Sequence, residues 1–497
     1  MRGNNDDFKF DNTGDALVDF FGKAGSLPKG SKGKPSIHYY DNCATALELF
    51  QPAFNTDKLK AVKLAMWLRD IRGGSGNRSG FRDIIKWLAN NEPAWISKNI
   101  DLIPQVGRWD DMLALFGTPC ESHAIERWAT AILEKNGLAC KWAPREKSDK
   151  EAYHKIRKFM KMDPKSLRKH ISENTKVVET AMCQNKWNLI DYNHVPSVAM
   201  ARNANAFTRH DVSRFTEWKD SLAKPDSENK VNAGALYPHD CLRTMRAELS
   251  NALHGGYYGW SRDRKNGSET YQDSQLANAQ FAALPDYMGG NTMRIMTISD
   301  FSGSMSSSVG GTNSSIQMLD VSLSLALYCS DRLGKENPFY RKFIPFSNDC
   351  RFVDWRNETF SVAAQKYNDG FCGGTNIRLA LETVLSSAKM FNVTKEQMPN
   401  CLLILSDMEF DRGANDSETA VESAMKLWEA NGYERPRILF WNLGGYEGSP
   451  TTIAHKNEAT CSGFSPSVLT AVLGGTDFSS RAIMERAIEK YPVVSPY

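Results

Sequence analysis

The sequence lacks any apolar run near the roughly 18 residues that cross a bilayer, and its N-terminus, MRGNNDDFKFDNTGD, has no apolar signal-peptide core. The ten cysteines form no CxxC pair and no Cys/His cluster at zinc spacing. Scattered thiols are typical of reduced cytosolic proteins rather than of disulfide frameworks or zinc sites. We therefore expect a soluble cytoplasmic protein with no membrane partner. Its 497 residues predict two or three domains.

Catalytic signatures are also missing. No GxxxxGKS/T phosphate loop, HExxH zinc motif or GxSxG nucleophile elbow occurs. An acidic group, Asp407, Glu409 and Asp411, is compatible with a metal-dependent hydrolytic site, and a solvated loop is the plainer alternative. We therefore do not expect an enzyme. The histidines show no ligand spacing, and we expect structural roles for His194, His210 and His239.

The net charge of +3 is unevenly distributed. From residue 291 onward there are 19 Lys and Arg against 23 Asp and Glu, whereas the first 290 residues carry 42 against 35. The stretch 141–176 alone carries 12 basic and 5 acidic residues. This excess predicts a polyanionic partner for the N-terminal part, without identifying the polyanion.

The first 290 residues have helical periodicity. Residues 1–36 read as a loosely ordered lead-in around one amphipathic piece, ALVDFFGKAG, and the Gly/Pro/Ser-rich linker GSLPKGSKGKPS. From 37 to 288, stretches such as KLKAVKLAMWLRDIR and FRDIIKWLANN place apolar residues at helical spacing. Many short helices in series predict an all-α array of helical pairs, an α-solenoid of HEAT-like type. Closure of this array into a ring is an open alternative.

Residues 289–497 alternate between strands and helices. MRIMTISD, RKFIPFSND, CLLILSD and RILFWNL are apolar runs of strand length. IQMLDVSLSLALYCSDRL, LALETVLSSAKM and ETAVESAMKLWEANG lie among them as helices. The alternation predicts a mostly parallel, doubly wound (Rossmann-like) α/β domain. Such sheets bind ligands at the carboxyl ends of their strands.

Five oxygen-bearing side chains are expected at that edge. Asp300, Ser302 and Ser304 leave the first strand, and alternate residues of extended chain share a side. Thr375 precedes a helix, and Asp407 ends a later strand. Two carboxylates and three hydroxyls suit one hard divalent cation, Mg²⁺ first, with Mn²⁺ or Ca²⁺ as alternatives. The competing interpretation is a helix-capping Asp with serines in a turn.

The segments DFSGSM, GGTN and LILSD, in this order, resemble the metal-ion-dependent adhesion site of von Willebrand A domains. That family's pattern is D-x-S-x-S, a later Thr and a later Asp, and the five residues above match it. The resemblance implies one bound divalent cation with an open position that takes a carboxylate from a partner. Members of the family act mostly by binding rather than by catalysis.

A helical-repeat region followed by an A-type domain resembles the Ro ribonucleoprotein architecture, TROVE plus von Willebrand A. The resemblance implies a ring of helical repeats closed by the A domain, with small or misfolded RNA, held by single-stranded ends, as the ligand. The alternative is a protein-interaction adaptor whose metal captures an acidic partner residue. A related uncharacterised-domain family is closer still, through the stretches TGDALVDFFGKAG, WLRDIRGGSGNRSGFR, VGRWDD, CKWAPREK, VPSVAMARNANAFTRHD and KVNAGALYPHD.

Several of these stretches contain candidate RNA contacts. Four arginines flank the glycine-rich turn GGSGNRSG, where backbone N–H groups and guanidinium forks would meet a phosphate; a solvated helix connection is the alternative. Trp142 among cations would stack a base, and a Trp anchored in a helix groove is the alternative. A basic helix face would follow, interrupted at Pro164. The candidates are Arg69, Arg72, Arg78, Arg82, Lys141, Trp142, Arg145, Lys147, Lys155 and Lys158.

Overall fold

The computed structural model describes residues 10–27, 44–175, 177–224, 226–252, 271–309, 316–368, 373–411, 419–445 and 448–497. Most of the expected linker at 25–36 lies outside these residues. Described secondary structure is helical up to residue 282, and a six-stranded sheet with helices follows. The predicted order, an all-α region and then an α/β region, is confirmed. No helix in these ranges combines the length and apolar character needed to cross a membrane.

The helices of the N-terminal region are short, and turns or 3₁₀ segments separate many of them. Helix α10 begins at Pro164, so this proline does interrupt the basic stretch, because a proline fits the first turn of a helix and not its interior. The helices are α1 (Ala16–Lys23), α2 (Ala46–Thr56), α3 (Lys58–Arg69), α4 (Arg78–Asn91), α5 (Pro93–Asn99), α6 (Leu102–Val106), α7 (Glu121–Leu133), α8 (Gly137–Lys141), α9 (Lys150–Phe159), α10 (Pro164–Asn174), α11 (Val178–Cys183), α12 (Ser197–His210), α13 (Val212–Ser221), α14 (Pro238–Ala252) and α15 (Gln275–Ala282).

The sheet has the strand order β3-β2-β1-β4-β5-β6. Strand β3 is antiparallel to β2, and the other described pairs are parallel. Apolar runs predict four of the strands, whereas β3 is too short to show a pattern and β6, EATCS, mixes polar and apolar residues. The strands are β1 (Ile295–Asp300), β2 (Lys342–Phe346), β3 (Val353–Asp354), β4 (Cys401–Ser406), β5 (Arg437–Asn442) and β6 (Glu458–Ser462).

Helices cover both faces of this sheet. On one face Leu403 and Leu439 join a core that continues into the helical region. On the other face Ile298 and Ile404 belong to a separate apolar cluster. Because strands buried on both faces carry apolar residues throughout, they read as continuous apolar runs in the sequence. The helices of this region are α16 (Met318–Asp331), α17 (Phe360–Lys366), α18 (Ile377–Met390), α19 (Ala420–Ala430), α20 (Val468–Leu473) and α21 (Ser480–Glu489).

The N-terminal segment is an integral layer of the fold rather than a loose lead-in. Helix α1 packs against α2, α3 and strand β6, and Leu17 and Phe21 are fully buried in the core. The hydroxyl of Ser26 donates to the carbonyl of Asn442, and the N–H of Gly463 donates to Ser26 Oγ at 2.7 Å. The expectation of loose order is therefore wrong for 10–27, because burial of its apolar face and these bonds fix the segment.

The α/β region contacts both ends of the helical region. Near the start, Lys60 Nζ on α3 lies 2.6 Å from Glu485 Oε1 on α21. Near the end, both terminal nitrogens of Arg246 on α14 pair with the carboxylate of Asp320 on α16. The last helix of the chain therefore contacts one of the first, and closure of the helical array into a ring stays a prediction.

Candidate functional site

The strand order places a ligand site at the carboxyl ends of β1 and β4. Connections leave these neighbours in opposite directions, and at such a switch point doubly wound sheets bind ligands. Ser299 pairs with Leu405, so Asp300 reaches the edge beside Ser406 and Asp407 follows at once. Two of the five predicted ligands therefore lie on adjacent strand ends.

The turn after β1 gathers three of the predicted ligands. The Oδ1 atom of Asp300 accepts the N–H of Ser302 at 2.8 Å, and the hydroxyl oxygens of Ser302 and Ser304 lie 3.1 Å apart. A short 3₁₀ turn over Gly303–Ser306 follows. Ser302 is nearly buried and Ser304 half-buried, so the turn stands between the core and solvent.

Thr375 is tied to the same edge from two sides. The N–H of Gly303 donates to the carbonyl of Gly373 at 3.1 Å, which joins its loop to the turn after β1. The N–H of Asp411 donates to the carbonyl of Thr375 at 2.9 Å, which joins it to the chain after β4. Thr375 itself is 5% exposed. The structure thus brings all five predicted residues to one edge of the sheet.

Asp300 and Asp407 are buried carboxylates at this edge, and neither is exposed to solvent. Burial and the nearby charge of Asp407 raise the pKa of Asp300 to about 7, against hydrogen bonds from Ser406 and Ser302 that lower it. Two anions in a dry site repel each other and lose hydration. A cation bound between them would offset that cost.

The donor chemistry fits a hard divalent cation. In the described ranges, no three His, Cys, Asp or Glu side chains cluster as metal ligands. A cation at this edge would therefore depend on the hydroxyls of Ser302, Ser304 and Thr375 as much as on the two carboxylates. Few carboxylates, neutral oxygens and retained waters are typical of Mg²⁺. Ligation by the five residues stays a prediction.

Ser406 is a positioning residue that the motif does not single out. Its hydroxyl donates to Asp300 Oδ2 at 2.5 Å and accepts the N–H of Met408 at 3.0 Å. Met408 has a φ of +69°, so the chain turns sharply just after Asp407. The only sequence signal for this role is a serine directly before the strand-terminal aspartate.

Glu409 and Asp411, which we call the second acidic group, lie at the rim of the same edge. Glu409 and Asp411 are half-buried. The Asp411 carboxylate lies so close to Gly374 that an added Cβ there would sit 2.4 Å from Oδ2. Gly374 therefore lets the loop carrying Thr375 approach the chain after β4. A hydrolytic role for this group stays an alternative prediction.

The glycine-rich turn after α3 does not present its described amides to a phosphate. The N–H groups of Gly74 and Ser75 donate to the carbonyls of Asp70 and Trp67. A Cβ on Gly74 would lie 1.9 Å from the Trp67 carbonyl oxygen, so only glycine permits this close approach. The expected phosphate cradle is therefore wrong for these two amides, because the turn uses them internally.

The same turn joins the two regions. The hydroxyl of Tyr287, just before the sheet, donates to the carbonyl of Arg72 at 3.0 Å. The ammonium of Lys490, after α21, donates to the carbonyl of Gly73 at 2.6 Å. The turn therefore has a structural role at the junction between regions.

Arg69 and Arg82 share one buried aspartate. Arg69 Nε and Arg82 Nε each lie 2.7 Å from an oxygen of Asp111, which is fully buried. Arg69 is 4% exposed, so its guanidinium is not available to a phosphate. Arg82 also lies 3.0 Å from Asp110. Arg69 is therefore a structural ion-pair residue and not an RNA contact.

The other two arginines of this group differ in exposure. Arg72 is exposed. Arg78 is half-buried, and burial together with the charges of Arg108 and Arg82 lowers the pKa of its guanidinium. A phosphate would relieve this repulsion between like charges. RNA contact by Arg72 and Arg78 stays a prediction.

Trp142 already has a cation on its ring. The guanidinium carbon of Arg108 lies 3.8 Å from the ring centroid, and Lys141 Nζ lies 5.6 Å from it. The half-buried indole also packs against the main core. The anchored-Trp alternative therefore describes Trp142 better than a base-stacking platform does.

The remaining basic candidates divide into one paired residue and several exposed ones. Lys155 pairs with both Glu121 and Glu151. Arg145, Lys147 and Lys158 are exposed. Further exposed cations adjoin them, and we call the whole set the basic segment: Arg145, Lys147, Lys150, Lys158, Lys161, Lys165, Arg168 and Lys169.

Two family models match the chain. The model described as domain of unknown function DUF2828 matches residues 3–137 and 121–289, which is more than half of the chain. The model described as domain of unknown function DUF7788 matches residues 294–491. The two matches meet where helices give way to the sheet.

Two relatives match nearly the whole chain. An uncharacterised protein, L728, of Acanthamoeba polyphaga mimivirus is 23% identical over 555 residues, covering 99% of this chain and 87% of that protein. The crystal structure of the Deinococcus radiodurans Ro (RSR) protein matches 96% of this chain and 99% of its own, with a TM-score of 0.50 and 14% identity. At that identity the likeness shows the fold alone, which is Ro-like.

Proposed function

This chain belongs to the family described as domain of unknown function DUF2828, and for it we propose a Ro-like function: binding of small or misfolded RNA through the helical region. The observation that carries this proposal is the basic segment, displayed on a Ro-like fold. We further propose that the α/β region is a von Willebrand A-type domain with one bound cation and no catalytic activity of its own.

Some of the carboxylates that lie among the cations of the basic segment are already engaged. Asp163 caps α10 by accepting the N–H groups of Lys165 and Ser166 at 2.8 and 3.1 Å. Glu151 pairs with Lys155, which is outside the exposed set, whereas Glu173 lies 3.8 Å from Lys169, which belongs to it. RNA phosphates would be the counterions of the other cations of this segment, with an affinity that falls steeply as salt rises.

We expect single-stranded RNA to be preferred over duplex RNA. The edges and faces of unstacked bases can be read by side chains, whereas the grooves of an A-form duplex limit that access. The expected ligand is a structured RNA with an unpaired tail. A blunt hairpin of equal length is the matched ligand control.

The test compares two sets of lysine and arginine variants in a salt-dependent binding titration. Replacing Lys158, Lys165 and Arg168 together by Ala should weaken binding of tailed RNA and lower the salt slope by about 0.7 for each phosphate that is no longer neutralised. The matched control replaces Lys335, Lys389 and Lys395, which are exposed on the α/β region. Equal weakening in both sets, or binding that does not depend on salt, would contradict the proposal.

The cation would be held by Asp300, Ser302, Ser304, Thr375 and Asp407. It would supply an open coordination position at which an oxygen of another molecule binds. Ser406 orients Asp300 through its hydroxyl, and the burial of both carboxylates keeps competing water away. Mg²⁺ fits this donor set, with Mn²⁺ and Ca²⁺ as the other hard candidates.

A protein adaptor is the second candidate, favoured by the position of the turn at the surface. Gly303 is exposed and Ser304 half-buried, so a partner's carboxylate can reach the proposed cation. An adaptor would capture proteins in a metal-dependent and nuclease-insensitive manner. Loss of that capture in Asp300→Ala, in a protein that binds no tailed RNA, would support the adaptor over the RNA proposal.

A further inference from the structure

Residues near helices α11 to α13 form a module with its own hydrophobic core. Tyr192, Phe207, Phe215 and Trp218 pack together in a cluster separate from the main core. Their rings make tilted, edge-on or stacked contacts, for example 5.2 Å between the centroids of Tyr192 and Phe207. This aromatic core gives the surface above it a rigid base.

Two rings on the outside of this module stack in parallel. The centroids of Trp187 and His210 lie 4.7 Å apart with an interplanar angle of 7°. The indole is fixed, because its Nε1 donates to Asn185 at 2.6 Å and Arg214 donates to the carbonyl of Trp187 at 2.9 Å. His210 is exposed at the end of α12, so it forms the outer layer of the stack.

Two exposed apolar side chains are close to these rings in the sequence. Leu189, two residues after Trp187, is 67% exposed, and Val212, two residues after His210, is 55% exposed. Exposed apolar groups near a flat ring provide contact area for another flat, weakly polar group. A nucleobase has this character, and stacking tolerates any base because each has a π-face.

The charge around the stack is positive, which favours a polyanionic ligand such as a nucleic acid. From Tyr192 to His210 the sequence contains no acidic residue, while Arg202 and Arg209 are exposed on α12. The flanking carboxylates already have partners: Asp191 bonds to His194, and Asp211 pairs with Arg214 and accepts the Tyr192 hydroxyl. Phosphates would therefore meet Arg202 and Arg209 while the carboxylates that flank this segment are occupied.

We propose that the face of His210 turned away from Trp187 receives an unpaired base of single-stranded RNA, with Arg202 and Arg209 serving its phosphates. This site is separate in sequence from the basic segment and rests on the proposed function. It gives the helical region a base-dependent contact in addition to a charge-dependent one.

The test measures binding of two ligands of equal length and charge, a single-stranded RNA and its abasic counterpart. Replacing His210 by Ala should weaken binding of the base-bearing RNA by about tenfold, the scale expected for one lost base–aromatic stack. Binding of the abasic ligand should not change. His210→Phe keeps a flat ring and should retain affinity for the base-bearing RNA.

His123 provides the matched control. It is an exposed histidine on α7 of the helical region, bonded to Ser97 and outside the stack, so His123→Ala should leave both affinities unchanged. If His210→Ala binds base-bearing RNA as the unchanged protein does, the stacking site is overturned and the proposed function stands. If the unchanged protein binds neither ligand, the proposed function itself is overturned and the stacking site with it.

Discussion

The carboxyl edge of the sheet and the cation-rich helices place their candidate residues in different ways. At the sheet edge, five oxygen-bearing residues from three distant parts of the sequence meet, because parallel strands end at a common edge. In the helical region the candidate RNA contacts are not gathered at one place, and Arg69 and Lys155 are engaged in ion pairs. Sheet topology therefore predicts convergence, whereas basic residues on helices reveal little until their partners are known.

The largest effect should come from removing one ligand at the converged site. Asp300→Asn should abolish detectable Mg²⁺ or Mn²⁺ binding in calorimetry. This loss is larger than the fall in metal affinity, roughly 10- to 100-fold, that follows from changing residues that only support the ligands. In the metal-free protein the same change should not destabilise the fold, because it removes one of two buried, mutually repelling carboxylates.

Asp354→Asn is the matched control for this variant. Asp354 lies on β3, away from the strand ends that meet at the site, and pairs with Arg356. Its replacement should leave cation affinity unchanged. Equal affinity in the Asp300→Asn variant and the unchanged protein would remove Asp300 from the set of ligands.

The next largest effect is on the free energy of unfolding, and it should distinguish a buried arginine with a structural role from an exposed one. Arg69→Ala should lower the free energy of unfolding by about 3 kcal/mol, because it strips one partner from the buried Asp111. Arg145→Ala should change that free energy by less than about 0.5 kcal/mol, since Arg145 is exposed. Urea unfolding measures both. A stable Arg69→Ala variant with weakened RNA binding would make Arg69 an RNA contact after all.

The residues that sequence patterns predict well are those placed by backbone topology. The D-x-S-x-S turn and Asp407 follow strands that read as apolar runs, so their convergence is predictable. The supporting role of Ser406 depends on hydroxyl geometry, which no spacing reveals. Likewise, the stack of Trp187 on His210 joins two segments whose contact only the fold creates.

Other expectations failed because burial overrides local composition. The glycine-rich stretch at 73–76 predicts a phosphate-binding turn, yet the turn is held by Tyr287 and Lys490 from distant parts of the chain. The N-terminal segment reads as a lead-in because its one helix is short, and only the sheet and helices it covers make it part of the core. Long-range packing of this kind leaves no periodic signal.

A pH series should produce a smaller, graded effect at the sheet edge. The pKa of Asp300 is raised to about 7 without a cation, so protons compete with the metal below that value. Cation affinity should fall up to about tenfold per pH unit as pH drops below 7. Calorimetric affinities that are constant between pH 5 and 8 would contradict the close pairing of the two carboxylates.

The raised pKa of Asp300 also determines how the stability of the metal-free protein changes with pH. Because the folded pKa of Asp300 lies above its unfolded value, the folded state holds a proton that the unfolded state releases between about pH 4 and 7. The contribution of Asp300 to stability is therefore lost as pH rises through that window. Thermal melts of the unchanged protein and the Asp300→Asn variant should diverge there, and added Mg²⁺ should reverse the loss.

The smallest effect should follow from changing the second acidic group. Glu409 is half-buried at the rim and lies outside the five-residue set. Glu409→Gln should alter Mn²⁺ affinity by less than about threefold, the scale of a nearby screened charge. Loss of binding comparable to that of Asp300→Asn would place Glu409 among the ligands and reopen the hydrolytic alternative.

Anomalous diffraction from crystals grown with Mn²⁺ tests the central claim most directly, because it locates the ion without assuming its ligands. The account predicts one strong peak at the carboxyl ends of β1 and β4, at about 2.1–2.3 Å from oxygens of the Asp300 turn. It also predicts that Thr375 and Asp407 border the same ion. A peak elsewhere only, or an edge without a peak at saturating Mn²⁺, would contradict it.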